Sequence, residues 1–223
     1  MSKNILVVGG SSGLGRALAT CYHAQGHTVT ITGRKDPHDP RLSFHAFAIT
    51  AQSDTLGAQM DALLAATGPI DMLIYAAGYY QEGTLDQLSD AEILTMLNVG
   101  LTAPTLLIQR LKKTARQPCD IVLITSSSQY TPREKEPVYT AVKAGLGMLG
   151  ASLALDRGIG KVLVAAPSGM ATPFWDAQKA VHDFLSPEWV AQEIVTLFNA
   201  PFSYRYAKIQ RSPARVEIVE ERV

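Results

Sequence analysis

The sequence predicts an α/β fold, a single domain over residues 1–223 in which a doubly wound parallel sheet of about seven strands is flanked by helices. Three observations carry this expectation. Short runs rich in Val, Ile and Leu alternate along the chain with longer stretches whose apolar residues recur at helical spacing. The runs are apolar at successive positions, as strands are when helices cover both of their faces. Finally, 223 residues with 47% hydrophobic and 18% charged side chains suffice for one sizeable core, and no linker, repeat or low-complexity segment divides them.

The first strand, Ile5-Leu6-Val7-Val8, ends at Gly9-Gly10, and a helix from Gly13 to about Gln25 follows. Val29 to Ile31 is expected as the second strand, Phe44 to Ile49 as the third, Met72 to Tyr75 as the fourth, Ile121 to Ile124 as the fifth and Lys161 to Ala165 as the sixth. Helices are expected near Ser53 to Ala66, Ser89 to Asn98, Thr102 to Thr114, Pro137 to Asp156 and Pro187 to Asn199, several with Ser, Thr or Asp near their starts. Tyr206 to Gln210 is expected as a last edge strand, and Arg211 to Val223 as either an extra edge strand or a loose tail. Strands and helices in this order imply right-handed crossovers and a ligand site at the carboxyl ends of the strands.

Twenty basic residues balance twenty acidic ones, so no global field points to nucleic acid or an anionic membrane, and the expected partner is a small molecule. Cys21 and Cys119 lack metal-ligand spacing, and no metal site is expected. The first strand begins close to Met1, which argues against a signal or transit peptide, and no apolar run reaches about 18 residues. A soluble cytoplasmic protein is the expectation.

Gly9-Gly10-Ser11-Ser12-Gly13-Leu14-Gly15 joins the first strand to the first helix. A helix amino terminus there offers free N–H groups and a positive dipole end, and glycines let a pyrophosphate approach the backbone. A Gly-rich turn without a ligand is the alternative. At the end of the second strand the chain reads Thr32-Gly33-Arg34-Lys35. No carboxylate stands there to meet an adenosine ribose, whereas Arg34 would hold a 2′-phosphate, which favours NADP(H), with Arg16 or Lys35 assisting.

Tyr139 and Lys143 are four residues apart in a Pro-led stretch expected to be helical, so both side chains leave one face. A cation about 4 Å from a phenol at an effective dielectric near 20 contributes on the order of 4 kcal/mol, roughly three pKa units. The spacing thus predicts a tyrosine that exchanges protons near neutral pH. An ordinary pair, a surface Lys beside a half-buried Tyr, satisfies the spacing equally.

Taken together, these motifs resemble the short-chain dehydrogenase/reductase family, from about Lys3 to Gln210. Gly9, Gly13 and Gly15 match its Gly-x-x-x-Gly-x-Gly loop, and Ala76-Ala77-Gly78 stands where the family has Asn-Ala-Gly. Asn98 in Asn98-Val99-Gly100 matches the helix asparagine, and Ser126 lies thirteen residues before Tyr139. Tyr139 and Lys143 complete the tetrad. Pro167 to Pro173 resembles the Pro-Gly segment after the sixth strand. The resemblance implies a Rossmann-like fold and an NADP(H) site built from Gly9, Ser11, Ser12, Gly13, Leu14, Gly15, Arg34, Ala76, Ala77, Gly78, Tyr139, Lys143, Pro167, Gly169, Met170 and Thr172. Each feature has a plainer alternative: Ser126 as a turn or cap, Asn98 as a helix bend, Thr172 as the cap of a short helix. Departures are Ala76 for asparagine, Ser168 inside the Pro-Gly pair, and Ala48-Ile49-Thr50 where relatives carry an Asp.

The resemblance further implies hydride transfer between NADP(H) and a small carbonyl or alcohol, with Tyr139 as proton donor or acceptor. Ser126 would hold the oxygen, Lys143 would lower the phenol's pKa and bind ribose, and Asn98 would fix a water that links Lys143 to solvent. A lid is expected over about Phe174 to Leu185, with Trp175, His182 and Phe184, and Tyr79, Tyr80, Gln129 and Tyr130 are candidate cleft residues. Arg133-Glu134-Lys135-Glu136 reads as a solvated loop. A homodimer or homotetramer is implied, packed through the helices after Asn98 and Tyr139, where Ala144, Gly145, Gly147, Gly150 and Ala151 permit close contact, with one another or with the sheet. A non-catalytic NADP(H)-binding sensor and an epimerase or dehydratase are the competing classes.

Overall fold

The computed structural model describes residues 2–114, 117–174 and 183–223. Eight strands form one sheet in the order β3-β2-β1-β4-β5-β6-β7-β8. The strands are β1 Asn4–Val8, β2 Thr28–Gly33, β3 Ser43–Ala46, β4 Met72–Tyr75, β5 Cys119–Ile124, β6 Ile159–Pro167, β7 Tyr204–Arg211 and β8 Ala214–Arg222. β1 to β7 pair in parallel, and β8 returns antiparallel along β7. The helices are α1 Gly13–Ala24, α2 Leu56–Thr67, α3 Asp90–Leu97, α4 Ala103–Thr114, α5 Pro137–Leu153 and α6 Pro187–Asn199.

The continuous apolar runs explain the layering. In β1, Ile5 and Val7 pack with Leu14, Leu18, Val190 and Ile194 of α1 and α6. Leu6 and Val8 point the other way, toward Met60, Leu107 and Leu146 of α2, α4 and α5. Each of these fully buried aliphatic side chains contributes about 1.5–3 kcal/mol, so burial on both faces of the sheet is the main source of stability. Local signals set the helix starts. Ser89 and Glu92 form a capping box at α3. Pro137 and Pro187 occupy the first turns of α5 and α6, where a missing N–H costs nothing.

Three expectations change. The sheet has eight strands, and Tyr206 to Gln210 lies inside it because Ala214–Arg222 takes the edge. β3 is shorter than expected and ends at Ala46, after which Phe47 donates its N–H to the Gly33 carbonyl and turns into the loop that lines the site. Third, α3, a π-helical turn over Asn98–Thr102 and α4 run on as a helical stretch, Asp90–Thr114, whose length and composition would allow it to cross a membrane. Here Met96, Val99, Ala103, Leu107, Ile108 and Leu111 of that stretch are buried within the fold.

The chain builds outward from β1 to β3, then crosses back to place β4 on the other side of β1. That reversal leaves a crevice above the carboxyl ends of β1 and β4, the place where open α/β sheets bind ligands.

Candidate active site

A cavity of about 1340 Å³ fills this crevice. Its floor is the strand ends: Gly9 after β1, Thr32 to Arg34 after β2, Ala76 to Gly78 after β4, Ser126 after β5 and Pro167 to Met170 after β6. Of the cofactor-binding and proton-handling residues expected from the sequence, all but Asn98 and the assisting Arg16 and Lys35 line it, including Ser11, Ser12, Gly13, Leu14, Gly15 and Thr172. Phe47, Ala48, Ile49 and Thr50 close the β2 side.

The β1–α1 turn has little room for side chains. Gly9 has φ +82°, and a Cβ there would lie 2.6 Å from the Ala77 backbone. A Cβ on Gly15 would stand 2.2 Å from the Gly9 carbonyl oxygen. Ser12 caps α1 with extended backbone, and its side chain caps no helical N–H. The first-turn donors of α1 therefore face a cavity lined by glycine, which suits a pyrophosphate.

At the β2 end, Arg34 is exposed on the cavity rim and has no ion pair among the described residues. The nearest acid, Asp36, turns back on its own loop, where it accepts the His38 N–H at 2.7 Å. Arg16 is otherwise engaged, 3.5 Å from the buried Asp39. Arg41 pairs with the same carboxylate at 2.7 Å, and together the guanidinium groups hold it below the usual carboxylate range.

Three of the four expected proton-handling residues, Ser126, Tyr139 and Lys143, come together from the end of β5 and from α5. Ser126 follows β5 and caps the short 3₁₀ turn Ser127–Gln129, its Oγ accepting the Ser128 N–H at 3.1 Å, and it also lines the cavity. Tyr139 in α5 is 7% exposed and lies beside Ser126 on the cavity wall. Its ring is edge-on to Tyr80 at 5.0 Å and tilted to Phe174 at 6.5 Å. Lys143, one turn on, is 4% exposed and donates to the Ile124 carbonyl at 3.1 Å, with Nζ 5.6 Å from the Tyr139 ring centre.

Electrostatics in this arrangement depart from the expectation drawn from spacing. Burial pushes the Tyr139 phenol above its ordinary value, and the nearby Ser126 hydroxyl only partly opposes it. Burial also pulls Lys143 down from 10.5 to about 8. Between these pH values the unfolded chain holds a proton that the folded one lacks, so this group makes stability rise with pH across that window. Lys143→Met should therefore hold a stability advantage over wild type near neutral pH that shrinks by about 3 kcal/mol as pH rises to about 10.5. Urea unfolding of both proteins across this range measures it, and a pH-independent gap would contradict it.

Asn98 does bend the chain into the π turn, yet its amide serves elsewhere. Nδ2 donates to the carbonyls of Thr50 and Ala51, both at 3.0 Å, bracing the loop after β3. Its own carbonyl accepts the Ala103 N–H. Gln129, expected in the cleft, packs instead against Gly147, where a Cβ would meet its amide at 2.4 Å. Gly150 packs on Val164 and Leu123 of the sheet, so these small residues serve packing within the chain. Residues 175–182 of the expected lid, with Trp175 and His182, lie outside the described residues. Phe184 lines the cavity beside Gly169.

Arg133, Glu134 and Lys135 are exposed, as expected of a solvated loop, whereas Glu136 is half-buried. Arg133 and Glu136 line the cavity, joined at 3.2 Å, and both reach Ser128. An Arg-x-x-Glu run beside a helix start carries no signal of this, because Ser128 and Tyr80, the groups that draw it inward, come from other segments.

Comparison with known proteins agrees with the geometry. Residues 3–182 match the family model for short chain dehydrogenases. The chain is 30% identical over 203 residues to 3beta-hydroxysteroid dehydrogenase 1 of Eggerthella lenta, spanning 83% of this chain and 76% of that one. A short-chain dehydrogenase from Burkholderia cenocepacia, solved in complex with NADP, superposes with TM-score 0.76 at 24% identity, over 94% of this chain and 96% of that one. A 4-hydroxyisoleucine dehydrogenase complexed with NADH superposes with TM-score 0.79 at 20% identity, over 94% and 97%. With its phosphate-loop glycines, its Ser-Tyr-Lys cluster and a match over most of its length, this chain belongs to the short-chain dehydrogenase/reductase family of oxidoreductases.

Proposed function

We propose that the protein is an NADP(H)-dependent reductase of a small carbonyl compound, or the corresponding alcohol dehydrogenase. The observation that carries this is the Tyr139 phenol, gathered with Ser126 and Lys143 in the wall of a cavity that begins at the Gly9–Gly15 loop. The nicotinamide, when bound, supplies or accepts the hydride. All else falls to the chain. Gly9, Gly13 and Gly15 admit the pyrophosphate to the α1 amino terminus, and Arg34 receives the 2′-phosphate. Ala76, Ala77 and Gly78 contact the ribose side through backbone. Ser126 fixes the substrate oxygen, and Tyr139 gives it a proton or takes one. Lys143, within reach of the phenol ring, stabilises the phenolate that results.

The aromatic side chains beside Tyr139 favour a compact or planar substrate. Tyr79 and Phe174 line the cavity, and Tyr80 packs edge-on behind the phenol. We further propose a homo-oligomer: Met148 on α5 is 68% exposed, an apolar side chain on the helix that would pair with a second copy.

The test is oxidation of NADPH, with NADH in parallel, against aldehydes, ketones, quinones and diketones. Turnover preferring NADPH is expected. Arg34→Gln should raise the KM for NADPH about tenfold and leave that for NADH unchanged, since one charge-assisted hydrogen bond contributes about 1.5 kcal/mol. A wild-type preference for NADH would overturn the assignment of Arg34. Tight NADPH binding with no turnover across the panel would favour a non-catalytic binder.

A further inference from the structure

We propose that the substrate carries a carboxylate a few carbons from its carbonyl group, and that Arg133 is the residue that selects it. This rests on the reductase reading above and names the class of carbonyl compound, a short oxo acid, that the same cavity takes.

A guanidinium has five N–H donors in a fixed plane. In Arg133, Nη1 donates to Ser128 Oγ at 2.5 Å and to Glu136 Oε2 at 3.2 Å, and Nη2 donates to Ser127 Oγ at 2.9 Å. Because the two Nη atoms reach the hydroxyls of neighbouring residues, the outer end of the guanidinium faces the 3₁₀ turn that Ser126 caps. Nε–H and the second Nη2 hydrogen have no partner among the described residues. These two lie along one edge of the plane, the edge that grips a carboxylate through two parallel hydrogen bonds. Three engaged donors already hold the side chain in place, so a carboxylate would meet a preorganised partner.

The position suits a small substrate. Ser128 Oγ, which accepts from Arg133, lies 3.3 Å from Ser126 Oγ, the hydroxyl proposed above to hold the substrate oxygen. Two hydrogen-bond lengths thus span from the guanidinium to the carbonyl site, and a chain of a few carbons bridges them. Arg133 itself lines the cavity, beside Tyr130 and Thr131.

The charge of the cavity points to an anion as well. Among the described residues five cations line it, Arg34, Arg133, Lys143, Arg211 and Arg215, against one acid, Glu136. Glu136 is engaged by Arg133, by the Ser128 hydroxyl at 2.8 Å and by the Tyr80 hydroxyl at 3.4 Å. Arg211 meets Asp183 at 3.4 Å. Arg215, brought to the cavity by the β7–β8 hairpin, donates from Nε to the Gln210 side chain and has no ion pair among the described residues. Arg34 stands at the β2 end with the cofactor, whereas Arg133 and Arg215 follow β5 and β7, at the other end of the crevice. Such a field concentrates an anionic substrate there.

The test compares kcat/KM, from NADPH oxidation at 340 nm, for 3-formylbenzoate and 4-oxopentanoate with the values for their methyl esters, which keep the carbonyl and lose the charge. Wild type should favour each acid by about 10- to 100-fold, the effect of one or two charge-assisted hydrogen bonds. The preference should appear in KM and shrink with added salt. Arg133→Gln should bring the ratio of acid to ester close to unity, and Arg133→Lys, which keeps the charge and lacks the fork, should restore part of it. Arg215→Gln should lower the ratio by a smaller factor, and Arg157→Gln, exposed and outside the cavity, should match wild type. If Arg133→Gln does not fold, the wild-type ratio, its salt dependence and Arg133→Lys carry the test. Equal kcat/KM for acid and ester in the wild type would overturn the proposal. So would a preference that survives Arg133→Gln, which marks a side chain that only braces the Ser127–Gln129 turn. A wild type that binds NADPH and reduces neither acid, ester nor any other carbonyl overturns the reductase reading itself, and shows this before any variant is made.

Discussion

Tyr139→Phe is expected to lower the rate of hydride transfer by at least about 10²- to 10⁴-fold, the span of a lost general acid, while NADPH binds as tightly as before. The substitution is conservative in packing. Phe keeps the edge-on contact with Tyr80 at 5.0 Å and the tilted contact with Phe174, and it lacks only the hydroxyl. The stability change should stay within about 1.5 kcal/mol, the net worth of one hydrogen bond. Loss of rate therefore reports loss of the proton. Lys143 cannot substitute, since it is buried against the Ile124 carbonyl, and Ser126 offers no acidic proton of its own. Stopped-flow absorbance at 340 nm, with NADPH fluorescence titration for affinity, separates chemistry from binding. Transfer within tenfold of wild type would remove Tyr139 from the reaction.

Gly15→Ala is the second large effect. The new Cβ would meet the Gly9 carbonyl oxygen at 2.2 Å, its carbon at 2.9 Å and the Gly10 Cα at 3.1 Å. All three are backbone atoms, and Gly9 has no free space behind it because its own Cβ position abuts Ala77. The β1–α1 turn would have to open, at a cost of about 1–3 kcal/mol for overpacking, and the cradle that receives the pyrophosphate would open with it. A lower melting temperature and loss of the stabilisation normally given by NADPH are expected together in thermal denaturation. Gly145→Ala is the matched control, since its Cβ would sit 3.4 Å from Leu101, an ordinary contact, inside a helix where Ala is favoured by about 0.5–1 kcal/mol. Wild-type melting and unchanged NADPH stabilisation in Gly15→Ala would show that the turn tolerates a side chain.

Much of this site was legible in one dimension, for reasons of geometry. Strand β1 was readable because Ile5 to Val8 are buried on both faces, and the phosphate turn because close backbone approach admits only glycine. Other parts resisted. β8 reads as either an edge strand or a loose tail because most of Ala214–Arg222 is exposed and charged; what decides for a strand is the hydrogen-bonding edge of β7 beside it. Asn98, expected to fix a water, begins the π turn, and its amide partners are Thr50 and Ala51, nearly fifty residues earlier in the chain.

The sequence by itself determined the α/β architecture, a ligand site at the carboxyl ends of the strands and most of the residues around it, because apolar period and glycine sterics are local properties. Only the tertiary structure decided how those residues behave. Helical spacing sets Tyr139 and Lys143 on one face, but burial pushes the phenol up and the Ile124 carbonyl engages the lysine. Likewise Arg133 and Glu136 look solvated until folding brings Ser128 and Tyr80 against them. Protonation and hydrogen-bond direction depend on desolvation and on partners remote in sequence, and both are fixed only when the chain has packed.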